Sequence, residues 1–428
     1  MPYRPAPRLL ESGLPLYDEV AAAAFPQATL RYRNDRAAAS VGLEALSDDD
    51  WIAHFGRFEP LPGNQPAPLA LRYHGHQFRH YNPDLGDGRG FLFAQMLDGR
   101  DRLLDLGTKG SGTTPWSRGG DGRLTLKGGV REVLATAMLE TLGVPTSKSF
   151  SLIETGEHLY RGDEPSPTRS SVLVRLSHSH IRFGTFERLA FLDDLATMRA
   201  LVAFVNANYY PEANDAADMF DAVVTVSARL AARWMAAGFV HGVLNTDNMS
   251  ITGESFDYGP YRFLPAYDPG FTAAYFDTAG LYAYGRQPDT VLWNLSQLAR
   301  SLSLIAPQEP LLASLQAYAE RYRRELGLAM CARLHVRPHD DNDALVTALF
   351  AELAQRQDDG SFEAVIHQRW GDMPGYEADG TSRPTVPVTL LIDEIEAIWS
   401  GIVGDDDWSA FYAKLDAIEG YRRALGLC

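Results

Sequence analysis

Between residues 70 and 182 the apolar positions fall in short runs closed by turn residues. FLFAQM (91–96) and RLLDLGT (102–108), separated by Asp98-Gly99, predict an antiparallel hairpin, because Asp-Gly supplies the positive φ of a tight two-residue connection. SKSFSLIET (147–155) and SSVLVRL (170–176) predict two further strands. Ahead of these, Val130, Val133, Leu134, Ala137, Met138 and Leu142 share one helical stripe that ends at Gly143 and Pro145, which predicts a helix over 130–142. Beyond 185 the period turns helical, and the spacing predicts helices over 187–208, 216–238, 288–304, 309–326, 341–356, 388–402 and 406–424. Residues 1–70 are Pro-rich, as in PLPGNQPAPLA at 60–70, and predict an irregular arm with helices around 17–24 and 47–56. The pattern therefore predicts an α+β fold: an arm over 1–70, a strand-rich unit with one helix over 71–185, and a mostly helical unit over 186–428.

Composition narrows the function. Against 39 Lys and Arg stand 55 Asp and Glu, a net charge of −16. That argues against a general nucleic-acid or membrane-surface binder, since both need a basic face, while local basic pockets stay open. Two cysteines, Cys331 and Cys428, cannot build a disulfide framework or a Cys-rich zinc site, so a reducing compartment such as a bacterial cytoplasm is expected. No apolar run approaches the length of a membrane span, and the first twenty residues lack the apolar core of a signal peptide.

The candidate chemistry lies in two stretches. In GDGRG, Gly86, Gly88 and Gly90 sit in a loop expected between two antiparallel strands, where backbone amides can approach phosphates closely. Lys109 ends the next strand but one, and Glu132 lies on the following helix opposite its apolar stripe; a strand lysine held by a helix glutamate is the phosphate-positioning pair of protein kinases. The second stretch is HGVLNTDNMSITGESFDYG (241–259). Kinases place an Asn seven residues after a catalytic-loop His and then a metal-binding Asp-Phe-Gly; here His241 and Asn248 keep that interval and Asp257-Tyr258-Gly259 takes the triplet's place. Val243 stands where the catalytic Asp belongs, which makes Asp247 the candidate base from a shifted position. Two guanidinium forks, Arg175 and Arg182, flank a polar stretch after an apolar strand and suit a triphosphate together with Lys109.

YHGHQF, NPDLGDGRG, KGSGTTPWSRGGDGR, RLSHSHIRFGTFE, HGVLNTDNMSITGESFDYGP and QPDTVLWNLSQLAR together resemble the selenoprotein O family of kinase-like protein adenylyltransferases, over about residues 70 to 300. The resemblance implies a two-lobe kinase-like fold in which ATP binds in reversed orientation, so that AMP is transferred to Ser, Thr or Tyr hydroxyls of proteins and pyrophosphate is released. It further implies that Lys109, Arg175 and Arg182 hold phosphates with Glu132 bracing the lysine, and that Gly86, Gly88, Arg89, Asp121, Gly122 and Asp257 line the nucleotide. Asn248 and Asp257 would hold Mg²⁺ or Mn²⁺, and Asp247 would be the base. Some members of the family pair a C-terminal cysteine or selenocysteine with a cysteine after the Asp-Tyr-Gly triplet; residues 257–285 here contain none, which leaves Cys331 as the one partner for Cys428.

His74, His76, His80, His178 and His180 are expected to be packing residues rather than zinc ligands, as no Glu lies between paired histidines at helical spacing. Two rival functions remain beside adenylylation: a phosphotransferase with a shifted base, and a non-catalytic nucleotide-binding scaffold, which the retention of Lys109, Glu132, Asn248 and Asp257 together disfavours.

Overall fold

The computed structural model describes residues 2–162, 164–356 and 361–426. A single turn, α1 (Arg8–Glu11), is followed by β1 (Tyr17–Glu19), β2 (Thr29–Arg33), α2 (Asp35–Val41), α3 (Asp48–Phe55) and β3 (Leu69–Leu71). A small hairpin of β4 (Gly75–Gln77) and β5 (His80–Asn82) precedes β6 (Leu92–Leu97), β7 (Leu103–Lys109) and β8 (Leu124–Thr125), and then come α4 (Leu126–Thr141), β9 (Lys148–Leu159) and β10 (Thr168–Ser177). The rest is mainly helical: α5 (Phe183–Phe191), α6 (Leu195–Tyr209), α7 (Ala216–Ala236), the short pair β11 (Phe239–Val240) and β12 (Arg262–Phe263), α8 (Gln287–Leu302) and α9 (Gln308–Leu334). The last four helices are α10 (Asp343–Gln355), α11 (Phe362–Gln368), α12 (Ile392–Asp405) and α13 (Ser409–Leu425).

The main sheet is antiparallel with the order β1-β3-β6-β7-β10-β9-β2, and β8 adds to β10. Its central strands read as near-continuous apolar runs because both faces are covered. On one face α4 packs its stripe of Val130, Val133 and Leu134 against Leu152 and Leu173. On the other, Trp51 and Phe55 of α3 pack among Phe91, Phe93 and Phe150. Trp51 stacks on Phe150 at 4.9 Å between ring centroids and donates its indole N–H to Ser151 Oγ at 2.9 Å. Ser47 starts α3 by accepting the Asp50 amide, and Asp48, Asp49 and Asp50 favour the positive end of the helix dipole. The C-terminal helix α13 lies against α4, and α7, α8 and α9 pack against one another.

Several expected elements differ. Residues 17–24 form no helix: Tyr17–Glu19 pair with Leu69–Leu71, and the alanine run continues extended so that Ala23 N–H reaches Ser111 O at 2.9 Å. Backbone pairing with the sheet edge thus overrides alanine's helix propensity. The 1–70 segment supplies β1, β2 and β3 to the sheet. The connection after β6 is not a two-residue Asp-Gly turn. It runs over 98–102, closed by Asp98 N–H to Arg102 O at 3.0 Å, and the positive φ falls on Asp101 rather than Gly99. The helix expected over 187–208 is two helices, broken at Asp193 in the left-handed region and restarted by Asp194, whose carboxylate accepts the Thr197 amide. The glycine loop is not a hairpin loop either, since β5 pairs with β4 in a separate sheet while β6 pairs with β3.

Trp51→Ala removes the centre of the aromatic layer that ties the first 70 residues to the sheet. It is expected to lower stability by roughly 3–5 kcal/mol, read as a lower unfolding midpoint in urea; a midpoint within error of the parent would contradict this packing account.

Candidate active site

Neighbouring strands deliver the first two cations. Lys109 ends β7, and on the adjacent β10 Arg175 sits opposite Gly107. Five residues past the end of β10, Arg182 precedes α5. All three side chains are buried. The helix α4 places Glu132 against Lys109, with Nζ to Oε1 at 2.5 Å, and the lysine also pairs with Asp257. Asp257 thereby receives Lys109 from the sheet and Arg175 Nη1 at 3.7 Å. Asp257 itself has φ +67°, an uncommon conformation for a residue with a side chain, held here by the surrounding charges.

Arg182 connects the two ends of the site. One nitrogen donates to the main-chain carbonyl of Asp247 at 2.8 Å, another lies 3.3 Å from Asp87 Oδ1, and the guanidinium stacks over Tyr73 at 4.4 Å and Phe256 at 4.9 Å. Asp87, in the glycine loop, is fixed in turn by accepting the Leu71 amide. Arg182 Nε and both Nε and Nη1 of Arg175 are buried without a hydrogen-bond partner, as is Asp247 Oδ1.

The two aspartates lie in opposite electrostatic environments. Burial pushes the Asp247 carboxyl up to about 7, against the pull of Arg182. Burial would raise Asp257 as well, but the charges of Lys109, Arg175, Arg89 and Arg182 hold it well below the usual carboxylate range. Carboxylates whose environments drive them apart in this way are suited to different chemical tasks.

His241 is not in the cleft. It is fully buried, its Nε2 lies 3.0 Å from Phe256 O, and burial lowers its proton affinity, so it positions the loop that carries Asn248 and Asp257. Asn248 is held by donating from Nδ2 to Val243 O at 3.0 Å, which leaves its side-chain oxygen available. Thr246, between them, donates to Glu187 and accepts from the His76 amide, fastening the loop to α5 and β4.

The cleft formed by these residues has a volume of about 630 Å³ and is lined by every residue expected to touch nucleotide or metal: Gly86, Gly88, Arg89, Lys109, Asp121, Gly122, Arg175, Arg182, Asp247, Asn248 and Asp257. Glu132 stands behind Lys109. The sequence reading missed Asp87, Arg118, Arg123 and Arg161, which also line the cleft. Asp87, Arg118 and Arg123 lie inside the motifs GDGRG and SRGGDGR, so charge within a glycine-rich segment was the available signal. Arg161 gave none: it arrives from the distant end of β9 to make a two-pronged pair with Asp121 at 2.8 and 3.0 Å. Seven cations and four carboxylates line the cleft, a local excess of positive charge on a chain of net −16.

The glycines also meet a packing requirement. A Cβ on Gly86 would lie 2.4 Å from the Trp116 ring and one on Gly88 2.8 Å from Trp116 O, so both let residues 111–122 fold down onto the loop.

Four of the five histidines have polar side-chain partners. His74 Nδ1 lies 2.7 Å from the Tyr81 hydroxyl, His76 pairs with Glu187, His178 with Glu254 and His180 with Asp105, while His80 is exposed. Among the described residues no group of three or more His, Cys, Asp and Glu is arranged as a metal site. Cys331 is buried, donates to Asn342 Oδ1 at 3.3 Å, and burial pushes its thiol up to about 11. Its suggested partner Cys428 lies outside the described residues.

A buried lysine–glutamate pair and two further buried arginines thus stand beside a set of oxygen donors in one cleft, and comparison with known proteins makes the chain a nucleotidyltransferase. Residues 3–369 match the family described as "Protein adenylyltransferase SelO", and the chain belongs to that family. It is 45% identical over 467 residues to a protein nucleotidyltransferase YdiU of Synechocystis, covering 96% of each chain. A YdiU of Gloeobacter violaceus is 46% identical over 95% of this chain and 93% of its own, and one of Vibrio cholerae is 40% identical over 76% and 67%. Membership implies ATP as the nucleotide substrate and proteins as acceptors. No helix among the described residues is long and apolar enough to cross a membrane.

Because Lys109 and Glu132 are buried against one another, they are expected to act as a unit. Lys109→Met and Glu132→Gln should each lower nucleotide transfer by about tenfold or more, and the double variant should lose less than the product of the two effects. Steady-state transfer rates of the four proteins check this; multiplicative losses would mean that the two side chains act separately.

Proposed function

We propose that this enzyme transfers AMP from ATP to Ser, Thr or Tyr hydroxyls of proteins, with the nucleotide reversed relative to a protein kinase so that the α-phosphorus faces the acceptor. The observation that carries the reading is the set of guanidinium nitrogens on Arg175 and Arg182 that are buried without hydrogen-bond partners beside Lys109. A buried donor left unsatisfied costs about 1–3 kcal/mol, more when charged, and a phosphate oxygen would satisfy it. In this reading Lys109, Arg175 and Arg182 hold the phosphates and Glu132 keeps the lysine aimed. Gly86, Gly88, Arg89, Asp121 and Gly122 line the nucleotide.

Mg²⁺ or Mn²⁺ would be held by Asn248 and Asp257, whose amide and carboxylate oxygens suit a hard cation, and when bound it neutralises phosphate oxygens. Asp247 takes the proton of the acceptor hydroxyl. The hydroxyl oxygen then forms its bond to the α-phosphorus as the bond from that phosphorus to the bridging oxygen of the β-phosphate breaks, and pyrophosphate departs. Asp247 is suited to this role because its Oδ1 is buried without a partner. Residues 71–185 and 186–428 act as the small and large lobes of a kinase-like fold closing on the cleft, with 1–70 as an arm of the small one. A chain with only two cysteines fits a reducing, cytoplasmic setting.

Incubation with α-labelled and γ-labelled ATP in parallel is expected to label acceptor protein from the α position alone, with an AMP adduct in the intact mass. Label from the γ position would establish a phosphotransferase, and label from neither a scaffold. Asp257→Ala, which removes a cation ligand, should abolish transfer while the far-ultraviolet circular dichroism stays that of the parent; transfer at the parental rate by the folded variant would overturn the assignment of Asp257.

A further inference from the structure

A second chamber of about 520 Å³ opens on the other side of Arg89 and Lys109, between the start of α4 and the chain that follows Asp-Tyr-Gly. It shares Arg89, Lys109, Arg123 and Arg161 with the main cleft and adds Lys127, Arg131 and Arg262. Seven cationic side chains thus meet three carboxylates, of which Glu132 pairs with Lys109 and Glu396 with Lys127 at 2.8 Å.

Arg131 and Arg262 are the distinctive pair. Both guanidinium groups donate to the same main-chain oxygen, that of Tyr261, at 3.3 and 2.8 Å. Their other acceptors are the carbonyls of Gly259 and Pro260, and neither forms an ion pair among the described residues. Two like charges are therefore brought onto one carbonyl, half-buried, with Glu396 in the same chamber paired to Lys127 instead. Burial, then the Arg131 charge, lower the proton affinity of Arg262. Such an arrangement is unfavourable until an anion bridges it.

We infer that this chamber is a pyrophosphate site, with Arg131 and Arg262 receiving the leaving group as it departs past Lys109. The inference rests on the adenylyltransferase reading, which supplies pyrophosphate as product. A passage lined with cations from the reaction centre outward gives a product of high negative charge a graded exit and keeps it from the acceptor side of the cleft.

Calorimetric titration of the full chain with inorganic pyrophosphate tests it. Arg262→Gln leaves only bonds to its own neighbours in sequence unmade, so the fold should tolerate it, and pyrophosphate affinity should fall by about tenfold, the worth of one charge-assisted contact. Arg131→Gln should do the same, and Arg262→Lys, which keeps the charge, should recover part of the loss. The affinity for adenosine should stay within about twofold of the parent in all three, since adenosine carries no phosphate. Pyrophosphate affinity unchanged in Arg262→Gln and Arg131→Gln would overturn the site, as would equal losses for adenosine and pyrophosphate. Failure of the wild-type chain to transfer α-label while Arg262→Gln still weakens pyrophosphate would instead overturn the adenylyltransferase reading and leave the anion site standing.

Discussion

The half-buried carboxylate of Asp257 is the point on which the site depends. Lys109 from the sheet and Arg175 from the next strand both reach it, and Glu132 on α4 competes for the same lysine. Sheet, helix α4 and the loop of Asp257 are thus tied by one largely buried cluster of charge, where removing any one member leaves the others uncompensated. The left-handed backbone at Asp257 follows from this, since a strained conformation persists only where its surroundings determine it. The arginines left with unpartnered nitrogens are the counterpart: the cluster has more positive charge than its own carboxylates satisfy.

The remainder of the fold keeps that cluster in place. An antiparallel sheet buried on both faces fixes Lys109 and Arg175 two residues apart across the β7–β10 pairing, and α4 is clamped between the sheet and α13 so that Glu132 cannot swing away. Fully packed apolar layers such as those around Trp51 and Val133 resist small displacements, which keeps charged groups at fixed separations. The loop of Thr246 to Asn248 is likewise bound to α5 and β4 through Glu187 and His76.

Much of this was legible in the sequence because the strongest signals are local. The stripe from Val130 to Leu142 marked α4, alternation of turns and apolar runs marked β6, β7, β9 and β10, and the spacing from His241 to Asn248 to Asp257 marked the segment that brings Asn248 and Asp257 to the cleft. What was not legible depends on distant partners. Tyr17–Glu19 become a strand only because Leu69–Leu71 lie beside them, and Arg161 enters the cleft only because β9 is long enough to carry it there. Gly86 and Gly88 read as loop glycines, but their packing against Trp116, thirty residues on in Gly86's case, is hidden from any local pattern. The split of the 187–208 helix was missed because Asp193 and Asp194 act through backbone conformation and capping rather than through hydropathy.

The central claim is the direction in which the nucleotide lies, and a crystal structure of the protein with a non-hydrolysable ATP analogue and Mg²⁺ tests it most directly. The account predicts the terminal phosphates against Arg175 and Arg182 and the α-phosphorus nearest Asp247. A γ-phosphate nearest Asp247, with the adenosine deep in the cleft as in a protein kinase, would contradict it.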